Sequence, residues 1–362
     1  MSNSTNSNTN SNANANVDAR YNLIRSIGEE CINEEELRTL LAGKPSPPVV
    51  YDGFEPSGRM HIAQGLLRAL NTNKFLKAGC KFKFWVADKF ALMNHKLGGN
   101  LKRIRKAGEL MIETWKACGM EVDNPNIEFL WSHDEINKEP ERYWNLVLDM
   151  SLKFNLQRII NCTPALGRGE NDKLTASQIF YPVMQAADVF FLGVDICSLG
   201  MDQRKVNMLC REYAGKIKRK FKPVILSHHM LGGLDGSTKM SKSDPDNAIF
   251  MDDMPHEVKR KIKKAFCEPG NIEKNPILEY VEHIVFQIDK EFVIERKEEH
   301  GGNKVYDVYQ AVHDDFKSLE LHPDDLKKAL IKCLNKYMKP VQEHFQKNKQ
   351  AKTLLKIVKG YK

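Results

Sequence analysis

The chain has 362 residues, 41% of them hydrophobic and 28% charged, a composition typical of a globular protein with about two domains. It contains no run of 18 apolar residues and no apolar segment near its amino terminus, so we expect neither a membrane-spanning helix nor secretion. The net charge of +8 is unevenly distributed, because the segment from Leu326 to Lys362 contains eleven lysines and one glutamate. This segment indicates either a nucleic-acid partner or a lysine-rich, solvated helix face.

The first elements in chain order are a polar tail and a βαβ unit. Residues 1–20 are predicted to be disordered, since a tract of mostly Ser, Asn, Thr and Ala cannot bury enough apolar surface to offset its ordering entropy. A strand ending near residue 51 then leads into the turn-forming sequence D-G-F-E-P-S-G, a helix over 61–77 and a second strand over 81–87. This order predicts a parallel sheet whose ligands bind beyond the carboxyl ends of its strands.

The remaining pattern predicts an α/β protein with a helical carboxyl-terminal part. We expect a Rossmann-type catalytic domain over residues 21–252, with a helical insertion at about 100–178 and short buried strands at 192–199 and 224–227. After residue 252 the amphipathic pattern is helical to the end, which predicts an all-α domain over 253–362.

Eight cysteines occur without any C-x-x-C pair. The sequence therefore indicates no zinc knuckle and no dithiol redox motif, and we see no dedicated metal cluster. We interpret the cysteines as reduced, mostly buried thiols of a cytoplasmic protein.

The first of two signatures lies where the predicted strand passes into the helix. It reads P-S-G-R-M-H-I-A-Q-G over residues 56–65 and contains His61 and Gln64. A helix amino terminus after a tight loop offers unpaired N–H groups to phosphate. A histidine at this position can donate a hydrogen bond to a phosphate oxygen as charge develops.

The second signature, K-M-S-K-S, follows a glycine-rich stretch far downstream and consists of Lys239, Met240, Ser241, Lys242 and Ser243. A loop with two ammonium groups can close over a polyphosphate and later release it. Together the two signatures predict a nucleotidyl transfer driven mainly by positioning and electrostatics. Separately, each could be an ordinary helix start or polar turn.

A third group of polar residues lies on the predicted helix over 180–191. Tyr181, Gln185 and Asp188 are spaced by four and three residues, so they share one helix face. The other faces are apolar, which predicts a buried helix whose aspartate needs a partner. A carboxylate and an amide in a pocket suit a phenol hydroxyl and an ammonium group, whereas the alternative is a surface helix with a Gln–Asp hydrogen bond.

With these residues the sequence resembles the class I aminoacyl-tRNA synthetases, which carry an H-I-G-H-type motif and K-M-S-K-S. Ala63 and Gln64 stand where that family often has Gly and His. Gln64 can donate through its amide but cannot become charged, which shifts phosphate stabilisation onto Lys239 and Lys242. The segments Y-D-G-F-E-P-S-G, Y-P-V-M-Q-A-A-D and G-M-D-Q-R-K narrow the resemblance to tyrosyl-tRNA synthetases of the archaeal and eukaryotic type.

The resemblance implies a cytoplasmic, homodimeric ligase that uses ATP with Mg²⁺ to activate tyrosine and then charges tRNA(Tyr). It implies that Tyr51 and Asp188 hold the tyrosine hydroxyl, in a pocket lined by Trp85 and Phe90. The ammonium and carboxylate end would be bound by Tyr181, Gln185 and Gln203. The nucleotide would be bound by Gly53, His61, Gly200, Asp202 and the five residues of the second signature, Lys239, Met240, Ser241, Lys242 and Ser243.

The same resemblance extends to the helical carboxyl-terminal domain through H-G-G-N and E-L-H-P-D-D. It implies that His300 stacks on the first anticodon base and that Asp325 accepts a hydrogen bond from it. The alternative is that H-P-D-D merely starts a helix, since Pro and acidic residues are favoured in a first turn.

Two other functions compete with this interpretation. A tryptophanyl-tRNA synthetase shares the fold and both signatures, but the pairing of Tyr51 with Asp188 favours tyrosine. A catalytically inactive RNA-binding relative would not need His61, Asp202 and the two signature lysines.

Overall fold

A computed structural model of the chain describes residues 16–44, 46–167, 172–237, 240 and 244–361. Its largest sheet consists of β1 (Glu30–Ile32), β2 (Val49–Phe54), β3 (Lys81–Val86), β4 (Ile127–Trp131), β5 (Ile196–Gly200) and β6 (Val224–His228). The strands lie in the order β1-β6-β5-β2-β3-β4, and all are parallel except β1, which is antiparallel to β6. This sheet confirms the predicted α/β fold class.

The strand order places a crevice next to β2. The chain runs outward from β2 through β3 to β4, then returns to the other side of β2 for β5 and β6. At such a reversal the connections leave in opposite directions and open a cleft at the carboxyl ends of the two central strands. The order of the strands therefore predicts a ligand site beyond the ends of β2 and β5.

Two hydrophobic clusters cover the opposite faces of the sheet. Side chains alternate between them along each strand: Val50 and Phe84 belong to one cluster, and Tyr51 and Trp85 belong to the other. This alternation follows from the two-residue period of a β-strand. Strand β5, with the sequence I-C-S-L-G, is buried throughout, as expected for a strand with helices on both faces.

The helices are α1 (residues 16–25), α2 (Glu34–Gly43), α3 (Arg68–Lys77), α4 (Asp88–Met93), α5 (Leu101–Ala117), α6 (Ser132–Lys138), α7 (Pro140–Lys153), α8 (Leu156–Ile160), α9 (Ala176–Phe191), α10 (Arg204–Lys216), α11 (Pro255–Lys264), α12 (Pro276–Tyr280), α13 (Phe286–Ile288), α14 (Tyr309–Lys317), α15 (Pro323–Lys347) and α16 (Lys349–Lys359). A π-helical turn, Ala63–Leu67, leads directly into α3. Across the described ranges, no helix combines the length and the apolar character that crossing a bilayer requires.

The carboxyl-terminal helices pack against the part of the chain that contains the large sheet. Both α15 and α16 contact α5, and the imidazole Nε2 of His344 lies 2.6 Å from a carboxylate oxygen of Glu113 on that helix. These contacts join the predicted second domain to the first at α5, which lies between α4 and β4 in the chain.

Three sequence-based predictions need correction. Residues 16–20 were assigned to the disordered tail but belong to α1, because Tyr21 and Ile24 are buried and Arg20 donates to the carbonyl oxygen of Ala78. The segment 100–178 is not wholly helical, since it contains the edge strand β4. The part after residue 252 is not all-α, because β7 (Phe292–Ile294) and β8 (Lys304–Tyr306) form an antiparallel hairpin. Residues 1–15 lie outside the described residues.

Candidate active site

A cavity of about 700 Å³ lies at the carboxyl ends of β2 and β5. The structure brings together in its wall the predicted residues Tyr51, Gly53, His61, Gln64, Trp85, Phe90, Tyr181, Gln185, Asp188, Gly200, Asp202, Gln203 and Met240. Lys239, Ser241, Lys242 and Ser243 lie outside the described residues. The site thus forms where the strand order opens the sheet.

The carboxylate of Asp188 is wholly buried on α9. Its Oδ1 accepts a hydrogen bond from the hydroxyl of Tyr143 at 2.8 Å, whereas its Oδ2 accepts none within the described part of the chain. Burial raises the pKa of Asp188 well above its usual range, although the hydroxyl of Tyr143 and the nearby indole of Trp85 favour the charged form. Asp188 also lies close enough to Tyr51 to raise the pKa of that phenol, in addition to the effect of burial.

A chain of amides lies beside this carboxylate. Nε2 of Gln185 donates to Oε1 of Gln203 at 3.0 Å, and Nε2 of Gln203 donates to the carbonyl oxygen of Ala165 at 2.9 Å. Oε1 of Gln185 is buried and, among the described residues, has no hydrogen-bond partner. A buried acceptor without a partner is costly, so this oxygen marks a place for a ligand donor or a water molecule.

Tyr181 closes the same side of the cavity. Its ring meets Phe90 edge to face, with the ring centroids 4.9 Å apart. Burial raises the pKa of Tyr181, and the carboxylate of Glu55 raises it further through charge and a hydrogen bond. Glu55 follows β2 and accepts hydrogen bonds from the side-chain amide of Asn94 at 3.1 and 3.2 Å.

The first signature forms the turn between β2 and α3. His61 lies two residues before the π-helical turn, and its Nδ1 accepts from the backbone N–H of Gln64 at 3.4 Å. The carbonyl oxygen of Gln64 accepts from the indole N–H of Trp115 at 2.7 Å. A π-helical turn widens the helix by one residue and occurs often at functional sites.

Two glycines of the site are required by close packing. A Cβ added to Gly53 would lie 2.7 Å from the hydroxyl oxygen of Tyr51. A Cβ added to Gly200 would lie 2.4 Å from the sulfur of Met230 and 2.8 Å from Oδ1 of Asp202. Both glycines therefore keep neighbouring site residues in place, a role the sequence did not indicate.

Sequence reasoning missed an ion pair in the cavity wall. Nε of Arg68 lies 2.9 Å from Oδ2 of Asp52. Burial raises the pKa of Asp52 to about 6, while Arg68 acts in the opposite direction. Burial, with Arg68, also lowers the pKa of His228 to about 4. Arg68 lies four residues after Gln64 and so on the same helix face, which is the signal that could have identified it.

Tyr143 was also missed, and no local signal could have found it. It lies 45 residues before Asp188 on a different helix, α7, and only the packing of α7 against α9 brings the two side chains together.

The two segments predicted for the anticodon lie close together. Arg296 donates from Nε to the carbonyl oxygen of Gly302 and from Nη1 to that of Glu320, both at 3.1 Å. Gly302, two residues after His300, has a φ of +67° that favours glycine. His300 ends a short 3₁₀ turn, and its side chain is outside the described part.

Asp325 lies in the first turn of α15, where an oxygen of its carboxylate is 3.1 Å from Nζ of Lys328. The capping side chain of that helix is His322, whose Nδ1 accepts from the backbone N–H of Asp324. The segment H-P-D-D does start a helix, but Asp325 is not its capping residue.

Within the described ranges, no group of three or more His, Cys, Asp or Glu side chains is arranged to hold a metal ion.

Comparison with known proteins identifies the family. A family profile described as class I tRNA synthetases (W and Y) matches residues 44–339. Over 347 residues the chain is 56% identical to the cytoplasmic tyrosine–tRNA ligase 1 of Arabidopsis thaliana. The alignment covers 96% of this chain and 89% of that protein. The chain belongs to the tyrosine–tRNA ligases of class I. It is therefore an aminoacyl-tRNA ligase, as the sequence predicted.

Solved structures agree with this assignment. Tyrosyl-tRNA synthetase of Leishmania major in complex with tyrosinol matches with a TM-score of 0.89 and 48% identity, and covers 96% of this chain. The match spans only 52% of that chain, about half its length. Tyrosyl-tRNA synthetase of Pyrococcus horikoshii complexed with L-tyrosine matches with a TM-score of 0.86 and 32% identity, over 94% of this chain and 99% of that one.

The tryptophan alternative is not favoured by these comparisons. Tryptophanyl-tRNA synthetase of Aeropyrum pernix is 19% identical, with a TM-score of 0.64. At that identity the match shows a shared fold and nothing finer.

The environment of Asp188 predicts that Asp188→Asn stabilises the ligase at high pH. A carboxyl whose pKa is raised on folding favours the folded state below its ordinary pKa, and loses that contribution as the pH rises through the raised pKa. Asparagine can still accept from Tyr143 but never carries the buried charge. We expect the variant to unfold at higher urea than the wild type at about pH 8, and this advantage to shrink by about pH 5. A variant that is less stable than the wild type at the higher pH would contradict this account of Asp188.

Proposed function

We propose that this tyrosine–tRNA ligase forms tyrosyl-adenylate from tyrosine and ATP in the cavity beyond β2 and β5, and transfers the tyrosyl group to tRNA(Tyr). The observation that carries the proposal is the buried carboxylate of Asp188 beside Tyr51, whose Oδ2 accepts no hydrogen bond within the described ranges. A buried acceptor of this kind needs a donor, and a phenol hydroxyl reaching the closed end of the cavity supplies one.

Tyrosine would enter with its side chain toward Asp188 and its charged end toward the amides. Tyr51 and Asp188 would hold the hydroxyl, while Trp85 and Phe90 would contact the ring. Tyr181, Gln185 and Gln203 would hold the ammonium and carboxylate groups. Oε1 of Gln185 has no hydrogen-bond partner in the part of the chain that the structure describes, which supports this orientation because an ammonium group would donate to it.

ATP would lie across the first signature. His61 and Gln64 would donate to the phosphates, Asp202 would accept from the ribose, and Gly53 and Gly200 would allow the nucleotide to approach the backbone. The second signature would supply Lys239 and Lys242 to the pyrophosphate, with Met240, Ser241 and Ser243 beside them. Mg²⁺ would arrive with ATP, held mainly by the phosphates.

The chemistry then needs positioning more than a protein nucleophile. The tyrosine carboxylate attacks the α-phosphorus in line and pyrophosphate leaves, after which a terminal ribose hydroxyl of the tRNA attacks the adenylate carbonyl and AMP leaves. Charge on the departing pyrophosphate grows in the transition state, so donors fixed in advance lower the barrier. Such donors act on kcat rather than on tyrosine affinity.

The proposal predicts tyrosine-dependent ATP–pyrophosphate exchange, with little exchange when tryptophan replaces tyrosine. Tyr51→Phe removes one of the two groups that hold the substrate hydroxyl. We therefore expect the ratio of kcat/KM for tyrosine over phenylalanine to fall about tenfold.

Tyr280→Phe is the matched control, because it also removes a buried phenol hydroxyl but lies outside the cavity wall. An unchanged ratio in Tyr51→Phe would refute the assignment of that residue. A wild type without exchange would favour an inactive RNA-binding relative, and exchange with tryptophan would favour the tryptophan alternative.

We also propose that the ligase is a homodimer formed through α7. Four apolar side chains recur every four residues along α7 and into α8, with exposed fractions of 39% for Trp144, 56% for Leu148, 87% for Leu152 and 59% for Leu156. An apolar stripe of this size is rarely exposed to solvent. In a dimer with a twofold axis, the stripes of the two copies can pack against each other.

The stripe predicts that Leu148→Glu with Leu152→Glu yields a monomer by sedimentation at a concentration where the wild type is a dimer. Both side chains are exposed, so the fold itself should survive. Phe221→Glu is the control, since Phe221 is an exposed apolar side chain that lies outside the stripe. A monomeric wild type would refute the interface.

We propose that the segments joined by Arg296 read the anticodon, with His300 stacking on the first base and Asp325 accepting from it. The approach of the two segments supports this placement. The names of relatives such as the cytoplasmic ligase of Arabidopsis thaliana support a cytoplasmic location.

This role predicts that Asp325→Ala lowers kcat/KM for charging cognate tRNA about tenfold or more, since a hydrogen bond to a charged group is lost. Pyrophosphate exchange should not change, and the loss should disappear with a tRNA altered at the first anticodon base. Asp324→Ala is the control from the same helical turn. Equal effects on cognate and altered tRNAs would limit Asp325 to a structural role.

A further inference from the structure

Arg59 lies inside the first signature but is bound by residues that follow the second. Its Nε donates to the carboxylate of Asp252 at 3.0 and 3.2 Å, and its Nη2 donates to Oδ1 of Asp253 at 2.9 Å. The guanidinium carbon lies 4.2 Å from the centroid of the Phe250 ring. The planar guanidinium group of Arg59 thus contacts Phe250, Asp252 and Asp253 at once. A lysine has a single ammonium group and cannot reproduce this geometry.

Backbone hydrogen bonds fix the same two segments together. The N–H of Ile62 donates to the carbonyl oxygen of Ile249 at 2.8 Å, and the N–H of Met251 donates to that of Met60 at 2.9 Å. His61 lies between these two bonds and forms a β-bridge with Phe250. Residues 249–253, which we call the anchor segment, are therefore held directly against the histidine of the first signature.

The anchor segment is also held from its other side. Asp253 is wholly buried, and its Oδ2 accepts from Nζ of Lys261 at 2.6 Å. The carbonyl oxygen of Asp253 accepts from Nε2 of Gln342 on α15 at 2.8 Å, and Nζ of Lys359 on α16 lies 2.5 Å from Asp252.

Removing Lys261 or Asp253 would leave a buried charge unpaired and threaten the fold. Arg59 is partly exposed and can be changed with less risk.

We propose that Arg59 is a positioning residue for adenylate formation, which fixes the anchor segment, and through it the second signature, relative to His61. Six residues separate Lys242 from Ile249, so the position of the anchor segment limits where the signature lysines can act. Both signatures must meet the same polyphosphate, and small displacements of catalytic groups lower rates strongly. The inference rests on the adenylation reaction proposed above and adds a residue that does not itself contact substrate.

The test compares Arg59→Gln, Arg59→Lys and Lys359→Gln in the full-length protein. Tyrosine-dependent ATP–pyrophosphate exchange is measured at saturating substrates and normalised to active sites by titration. We expect Arg59→Gln to lower kcat on the order of ten- to a hundredfold, with tyrosine Kd unchanged. Arg59→Lys should recover part of the loss, because it keeps the charge but not the fork.

Lys359→Gln is the matched control, since it removes a partly exposed cation from the same Asp252 but leaves the bonds of Arg59 in place, and should lower kcat far less than Arg59→Gln. Hydrogen exchange supplies a second measurement: the amides of Ile62 and Met251 should exchange faster in Arg59→Gln than in the wild type.

Three results would overturn the inference. Arg59→Gln could lower the Tm yet keep full kcat per active site, which would make Arg59 merely structural. Lys359→Gln could lower kcat as much as Arg59→Gln, which would assign the effect to the charge of Asp252. Unchanged amide exchange in Arg59→Gln would show that the anchor segment does not depend on this residue. A wild type that lacks tyrosine-dependent exchange would instead refute the adenylation reaction itself, and the positioning role with it.

Discussion

The proposed tyrosine pocket depends on one buried carboxylate, that of Asp188. Removing a carboxylate from water is costly, and the raised pKa of Asp188 reflects that cost. The surroundings compensate only in part: Tyr143 satisfies one oxygen, and the other remains without a partner in the described part of the chain. Tyr143 lies on α7, within the insertion between β3 and β5. This insertion therefore contributes a hydrogen-bond donor to the pocket in addition to the exposed apolar stripe.

The two ends of the cavity are lined by chemically different groups. Aromatic side chains and single polar groups surround the end near Asp188. The mouth is built from helix and turn backbone, with the π-helical turn after His61 and close-packed glycines on two strand ends. Since parallel strands all deliver their carboxyl ends to one edge, residues from β2, β5 and β6 converge there.

The helical carboxyl-terminal part is joined to the rest of the chain near the first signature by a shared hydrophobic cluster and by several polar contacts. Glu113 meets His344, Asp252 meets Lys359, and the backbone of Asp253 meets Gln342. The wholly buried Asp253, paired with Lys261, lies at the centre of this junction. Such pairs add less to stability than their geometry suggests, but they are specific, because an unpaired member would be costly to bury. The junction therefore fixes how the helical part lies against the end of the cavity that carries the first signature.

The sequence by itself determined the features that depend on local spacing. The face shared by Tyr181, Gln185 and Asp188 follows from helix periodicity, and the place of His61 follows from the order of strand, turn and helix. The short signatures also identified the family. Only the tertiary structure decided that Tyr143 binds Asp188, that Arg59 binds Asp252 across 193 residues, and that β4 joins the sheet edge. These contacts depend on how distant elements pack, and local propensity carries no information about which distant partner a side chain will meet.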